Sequence, residues 1–337
     1  VTGSAGSLCL GIDLGGTKIA LALVDDEGGV HAERRVETAA AAGAGAVIAA
    51  MVEACQALLA GARVPVLGIG VGVAGQVDAV GGVVRSTPNL AGWHDVPLAA
   101  RLADALGLAT VLTNDVHAVT LAEQAHGAGR GSDHMAVVFV GTGVGGGVVS
   151  GGRLIDGAHG YGGELGHMTL VAGGRPCTCG ARGCLEAYVG GWAIALRAQE
   201  AAARDPEAGR ALVREAGTAE QITAATVDRT AEAGDPLAVE LAAETGRLLG
   251  HGLVSVVHAF NPRRLVLGGG VIEGMPALVS MAADVVRNQA MAVFLEDLEI
   301  VPAELGREAG VVGAACLVRN RARQESTKGA HPESSGA

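Results

Sequence analysis

Twice in this chain an apolar stretch of strand length runs into a glycine turn and out again into a second strand. Leu8–Asp13 leads to Gly15–Gly16 and on to Ile19–Val24, followed by a tight turn at Asp25–Gly29 and a third strand, Val30–Glu37. Met135–Val140 leads to Gly141–Gly147 and to a strand beginning at Val148–Val149, with a tight turn at Ser150–Gly152. Such a plan excludes an all-helical fold and predicts an α/β chain with an internal duplication relating Gly11–Val24 to Phe139–Ile155. Between the copies, Gly45–Ala60 has helical spacing and Val66–Val73 is an apolar strand. Glycines at 68, 70 and 72 interrupt that strand, so something must pack closely on it. A second unit is expected to begin near residue 118. After residue 187 the pattern turns largely helical, with helices over Pro236–Phe260, Met275–Ala290 and Glu308–Arg323, and a strand at Arg264–Leu267 before the turn Gly268–Gly270. The polar stretch 325–337 reads as a disordered tail.

Composition narrows the function. The 337 residues carry a formal net charge of −11, the wrong sign for a chain whose main task is gripping nucleic acid. Arg319, Arg321 and Arg323 form a small basic group, read as a solvated helix end. Lys18 and Lys328 are the only lysines, so an amine at position 18 stands against the trend. Aromatics make up 2% against 49% hydrophobic residues, so the cores must be Ala, Val and Leu. Val1–Ser7 has neither a basic start nor an apolar run, and no uncharged apolar stretch approaches the roughly 20 residues of a membrane span. The expectation is a cytoplasmic protein without membrane or nucleic-acid partners.

Six cysteines divide into Cys9, Cys55 and Cys316 in apolar surroundings and a cluster at 177, 179 and 184. Together with His167 the cluster supplies three thiolates and an imidazole, a closed tetrahedral donor set of the kind that holds structural zinc. The alternatives are three buried thiols or a nucleic-acid-binding ribbon. The ribbon needs paired C-x2-C knuckles and basic surroundings, and has neither.

The glycine turns are candidate phosphate sites. In Asp13-Leu-Gly15-Gly16-Thr17-Lys18 the backbone amides can surround phosphate oxygens, with Asp13 at the strand end to hold Mg²⁺. Gly141-Thr142-Gly143-Val144-Gly145 repeats the device. Gly141, Gly143 and Gly146 satisfy G-x-G-x-x-G, as do Gly70, Gly72 and Gly75, but a dinucleotide fold requires a helix immediately afterward, and both runs lead into strand or turn. There is no Walker A motif. Gly268–Gly270, with Gly269 at its centre, stands between a strand and a helix and is either a lining for an adenosine or a plain strand-to-helix turn. Asn114–Asp115 follows the strand Ala109–Leu112 and opens a helix, where Asp115 is either the acceptor of a hydroxyl proton in phosphoryl transfer or a helix cap. Glu164 and Glu186 lie within three residues of the metal ligands His167 and Cys184, so the metal would fix both carboxylates.

Together, Asp13–Lys18, Thr87-Pro88-Asn89, Asn114–Asp115, Gly141–Gly145, Glu164–His167, Cys177–Glu186 and Gly268–Gly270 resemble the ROK family of sugar kinases within the actin-like ATPase superfamily. The resemblance covers residues 8 to 320. It implies a two-lobe actin-like (ribonuclease H-like) α/β fold with a structural zinc loop. The lobes would be 1–117 (small) and 118–305 (large, with the zinc loop), with a helix over 306–324 returning to the small lobe. It implies Asp115 as base, with Asn89, Asn114, Asp115, Glu164, His167 and Glu186 on the sugar. Asp13, Gly15, Gly16, Thr17, Lys18, Gly141, Thr142, Gly143 and Gly269 would serve ATP and its Mg²⁺. The stretch 86–97 is most similar to members that phosphorylate glucose, while members acting on fructose, N-acetylmannosamine or N-acetylglucosamine share most of the motifs. Family members are commonly dimers or tetramers. Sugar-responsive regulators of the same family carry a helix-turn-helix of about 60 or more residues ahead of the fold, where twelve precede Asp13 here. Loss of the metal is expected to weaken sugar binding before ATP binding.

Overall fold

Alternating and continuous runs of Val, Ile and Leu set the strands, and the face each strand buries fixes its register. The chain is described here from a computed structural model covering residues 6–329. Residues 1–5, within the stretch read for a leader, and 330–337, most of the polar tail, lie outside the described residues.

In the first unit β1 (Leu8–Leu14), β2 (Lys18–Val24) and β3 (Val30–Glu37) form an antiparallel meander. After α1 (Gly43–Leu59) the strand β4 (Val66–Val73) lies parallel to β1. A small antiparallel sheet of β5 (Gln76–Asp78), β6 (Val83–Ser86) and β7 (His94–Val96) leads to α2 (Leu98–Leu106). Then come β8 (Thr110–Asn114), parallel to β4, and α3 (Asp115–His126), giving the sheet order β3-β2-β1-β4-β8. The stretch Ala40–Leu59 is long and apolar enough to cross a bilayer by length and composition, a feature hidden from a search for uncharged runs by Glu53. In the fold it is a core helix, burying Val47, Ile48, Met51, Ala54, Cys55 and Leu58 in the unit's apolar core.

The second unit repeats the arrangement. β9 (Met135–Val140) pairs antiparallel with β10 (Val144–Ser150), which pairs with β11 (Arg153–Leu154). The second strand thus begins at Val144 rather than 148, because Gly145–Gly147 pair with Phe139, Val138 and Val137 instead of extending the turn. Five helices follow: α4 (Glu186–Val189), α5 (Gly191–Arg204), α6 (Arg210–Ala216), α7 (Ala224–Glu232) and α8 (Pro236–Phe260). Helix α8 starts where Pro236 follows Asp235, whose side chain caps the Ala238 amide at 3.0 Å. β12 (Arg264–Gly268) is parallel to both β9 and β13 (Glu299–Pro302), with α9 (Gly270–Gly274) and α10 (Ala277–Gln289) between β12 and β13. The order β11-β10-β9-β12-β13 matches that of the first sheet strand for strand, so the duplication is present in the topology.

The last helix, α11 (Ala309–Gly329), belongs to the first unit and packs on β1, β4 and α3. It explains the glycines in those strands. A Cβ at Gly11 would stand 1.9 Å from the Val311 carbonyl oxygen, and one at Gly70 1.8 Å from that of Ala314. Arg319 is partly buried rather than solvated, donating to the carbonyls of Ser7 (2.8 Å) and Val24 (3.2 Å). The helix continues through 325–329, into the stretch read as a disordered tail, because Arg, Gln and Glu favour helix and neither Gly nor Pro falls between Gly313 and Gly329. The unit boundary also moves from 117 to Arg130: α3 packs on α11, and Asp156–Gly162 is held to α3 by a 2.7 Å hydrogen bond between His117 Nε2 and the Gly162 carbonyl.

Candidate active site

In the first unit the pairing brings the carboxyl ends of three parallel strands to one edge. Asp13 is in register with Gly72, and Gly72 with Thr113; one step on, Leu14, Val73 and Asn114 align. Open α/β sheets bind ligands beyond such strand ends. Gly72 lacks a side chain where the chain turns into α3, and a Cβ there would be 3.5 Å from Asp115 Cα. The cap of α3 is Asn114, not Asp115: Asn114 Oδ1 accepts from the amides of Val116 (2.9 Å) and His117 (3.3 Å), and its Nδ2 donates to the Gly75 carbonyl (3.2 Å). Asp115 is the first helical residue, with Oδ1 3.0 Å from the Val116 amide. Burial raises the Asp13 carboxyl above its ordinary value, because desolvation disfavours the charged form.

The first glycine turn is closed by the Gly15 amide donating to the Lys18 carbonyl (3.1 Å). Thr38, which nothing in the sequence marks, braces it. This fully buried residue donates its hydroxyl to Gly15 O (2.8 Å) and its amide to Thr17 O (3.0 Å). The amides of Gly16 and Thr17 have no hydrogen-bond partner among the described residues. Asn89 packs on the turn, close enough that a Cβ on Gly16 would meet its Cβ at 2.5 Å. Asn89 itself sits in a tight bend closed by Thr87 Oγ1, which accepts from the Leu90 amide (3.1 Å). Thr17 and Lys18 are exposed, and Lys18 lies across the hairpin from Glu37.

In the second unit the glycine run enters a strand rather than a helix, which disposes of the dinucleotide alternative. The Gly141 amide closes the turn on Gly143 O (2.9 Å), and the carbonyls of Gly141 and Thr142 accept from the amides of Gly191 (2.9 Å) and Trp192 (3.2 Å). As in the first turn, two successive amides, here Thr142 and Gly143, have no partner among the described residues. Gly269 abuts this turn through the Val140 carbonyl, 2.4 Å from where its Cβ would be, and its φ of 96° suits glycine. Beside the turn opens a mostly apolar cleft of about 430 Å³, lined by Thr142, Trp192, Ala225, Asp228, Gly270 and Met275 among others. Burial, and then the nearby charge of Glu232, raise Asp228. In the sequence neither Trp192 nor Asp228 stands in a recognisable motif.

His167, Cys177, Cys179 and Cys184 come together with all donor atoms within 4.8 Å of one another. A tetrahedral site with Zn–S bonds of about 2.3 Å needs sulfurs about 3.8 Å apart, and Cys179 Sγ and Cys184 Sγ are 3.7 Å apart. His167 Nδ1 is 3.7 Å from Cys177 Sγ, while its Nε2 faces Glu164 Oε2 at 4.0 Å. The loop doubles back through a turn closed by the Gly180 amide on Cys177 O (3.1 Å), with Gly180 at φ 88°. Burial raises Cys177; burial and the adjoining thiols push Cys184 up to about 12, whereas the Ala181 amide lowers Cys179. Three thiols this close to one another and to an imidazole, two of them buried, make a donor set that fits a thiophilic metal. Glu164 is largely exposed. Glu186 is buried, with Oε2 accepting from the Val144 amide (2.9 Å) and Oε1 from the Thr178 hydroxyl (2.8 Å) and the Trp192 indole (3.4 Å).

Two sheets of one strand order, each with a strand–turn–strand whose turn leaves amides unpartnered, define an actin-like ATPase fold. The chain belongs to the ROK family, which residues 9–321 match. A glucokinase of Thermotoga maritima is 34% identical over 312 residues, 93% of this chain and 97% of that protein. An N-acetylmannosamine kinase of Citrobacter koseri is 33% identical, over 92% of this chain and 98% of that one. Among solved structures, a ROK family glucokinase from Streptomyces griseus in complex with glucose and AMPPNP superposes with a TM-score of 0.76 at 33% identity, covering 93% of this chain and 100% of that one.

Proposed function

We propose that this protein transfers the γ-phosphoryl group of ATP to the 6-hydroxyl of glucose, giving glucose 6-phosphate and ADP. The sugar kinase class is supported by the glucokinase and N-acetylmannosamine kinase relatives; glucose by the Thermotoga relative and the S. griseus structure with glucose and AMPPNP. The observation that carries the mechanism is the edge of the first sheet, where Asp13 and the first glycine turn stand at the end of β1 and Asp115 just beyond the end of β8, with β4 between the two strands.

In this reading Asp115 accepts the proton of the attacking hydroxyl as the new O–P bond forms and the bond to the β-phosphate oxygen breaks. Such a loose transition state asks mainly for alignment and charge neutralisation. Alignment falls to Asn89, Asn114, Glu164, His167 and Glu186 on the sugar. The amides of the two turns, with Lys18, take the phosphates; the cleft beside Trp192 and Gly269 takes the nucleoside. Asp13 would hold Mg²⁺, which when bound with ATP offsets the charge on the phosphate oxygens. His167, Cys177, Cys179 and Cys184 would hold zinc as a closed structural site. A cytoplasmic setting belongs to the same reading, because such a site needs reduced thiols and all six cysteines are free. So does an assembly of two or four copies.

Asp115→Asn tests it. Turnover should fall by about 10²–10⁴-fold, with ADP affinity and zinc content unchanged, in a coupled assay over glucose, N-acetylmannosamine, fructose and N-acetylglucosamine. Wild-type turnover in that variant would overturn the role of Asp115. Preference for N-acetylmannosamine would favour the second reading, a kinase for another hexose, which rests on the Citrobacter relative.

A further inference from the structure

Glu186 has more partners than a sugar contact requires. It opens α4 two residues after Cys184, and both of its carboxylate oxygens are engaged within the protein. Oε1 takes the hydroxyl of Thr178, which stands between the ligands Cys177 and Cys179, and the Cys177 Sγ lies 3.7 Å away. Oε2 takes the amide of Val144, the first residue beyond the second glycine turn. The fit at the turn is tight: a Cβ on Gly143 would fall 2.5 Å from Oε2. Trp192, whose amide holds the Thr142 carbonyl, sends its indole N–H to Oε1.

The other side of Val144 is gripped as well. Gly166, next to the ligand His167, lies so close that a Cβ there would be 2.0 Å from the Val144 carbonyl oxygen. Val144 is therefore hydrogen-bonded at its amide by Glu186 and closely packed at its carbonyl by the segment that carries His167. Both contacts come from segments that carry ligands of the metal cluster, Glu186 two residues after Cys184 and Gly166 next to His167. A buried carboxylate with several donors resists movement, because any donor lost leaves charge uncompensated.

We propose that Glu186 is a positioning residue that ties the metal loop to the second glycine turn, so that the loaded metal site sets the turn's affinity for nucleotide phosphates even when no sugar is present. The inference rests on the reading that Gly141–Gly143 hold phosphates. It reverses the expectation that metal loss acts on the sugar first: the metal loop touches the turn through hydrogen bonds that no sugar mediates.

The test is calorimetric titration of Mg-ADP, without sugar, into zinc-loaded wild type, zinc-stripped wild type, Glu186→Gln and Thr178→Val, with zinc content and melting midpoint measured on each. Affinity should fall about tenfold or more in the stripped protein and in Glu186→Gln, the scale of losing a charge-assisted hydrogen bond. It should fall a few-fold in Thr178→Val, which keeps the loop's shape and its zinc while losing one donor. In turnover, Thr178→Val should raise the ATP KM and leave the sugar KM within about twofold, a split that general loosening of the fold would not give. Wild-type ADP affinity in zinc-loaded Thr178→Val and Glu186→Gln overturns the proposal while leaving the kinase reading intact. Failure of zinc-loaded wild type to bind ADP overturns both. Should Glu186→Gln fail to fold, Thr178→Val decides.

Discussion

Replacing Gly70 with alanine sets a methyl group against the backbone of α11. Its Cβ would lie 1.8 Å from the Ala314 carbonyl oxygen and 2.6 Å from the carbonyl carbon, where ordinary contact begins at 3.4 Å. A helical carbonyl cannot swing aside alone, so α11 must withdraw by about 1.6 Å to restore that approach. Withdrawal loosens Val311, Val312, Ala315, Cys316 and Val318, all buried. A gap of about 0.5–1 Å already forfeits a quarter to a half of a contact's attraction. Overpacking ordinarily costs about 1–3 kcal/mol, and a backbone clash puts Gly70→Ala at the upper end, about 3 kcal/mol. Gly11→Ala pushes the same helix through the Val311 carbonyl. Once α11 has moved for one methyl the second finds room, so the double variant should cost at least about 1 kcal/mol less than the two singles together. Urea unfolding followed by Trp93 fluorescence in a Trp192→Phe background isolates the first unit, since the two tryptophans are divided between the units. A Gly70→Ala variant within about 0.5 kcal/mol of its parent, or strict additivity, refutes the picture of α11 as a rigid body seated on glycines.

Asn114→Ala removes the acceptor of two helix amides and should cost the first unit about 1 kcal/mol in the same assay, with turnover falling further than stability because Asp115 loses its footing; unchanged stability would refute the capping role. Asp13 gives a pH signature. Its folded pKa is raised above 3.8, so the folded protein holds that proton more tightly than the unfolded chain. Stability is therefore greatest with the group protonated and declines as pH rises from 3.8 through the raised value. In Mg²⁺-free melts Asp13→Asn should gain on wild type across that window while losing Mg-ATP turnover, and melting curves that stay parallel over the acid range would refute the sign.

The legible parts of this protein were those written along one dimension. The cysteine spacing reached the metal cluster because its three thiols lie within eight residues, and strands such as Val66–Val73 announced themselves by apolar pattern. What pairing decides stayed hidden. Asn and Asp are equally good caps, and only the register of β8, which ends at Asn114, assigns the cap to Asn114 and leaves Asp115 as the first helical residue. Thr38 and Thr178 are ordinary threonines in sequence; their hydroxyls matter because folding sets a glycine turn beside one and a buried carboxylate beside the other. Arg319 looked solvated because its acceptors, the carbonyls of Ser7 and Val24, are about 300 residues away in the chain. The glycines of β4 revealed a close neighbour but not its identity, which came from the far end of the sequence.

That last fact has a consequence in time. A ribosome delivers the first sheet and α3 by Arg130, yet the helix that seats on Gly11 and Gly70 emerges only after the entire second unit. At about 5–20 residues per second, the nearly 190 residues from Arg130 to Val318 keep a glycine-floored furrow open for about 10–40 s. The second sheet's last strand, β13, is also delivered in that interval, so the unit begun first is the unit whose last segment is synthesised last, and the nascent first unit is the part that a chaperone has most reason to hold.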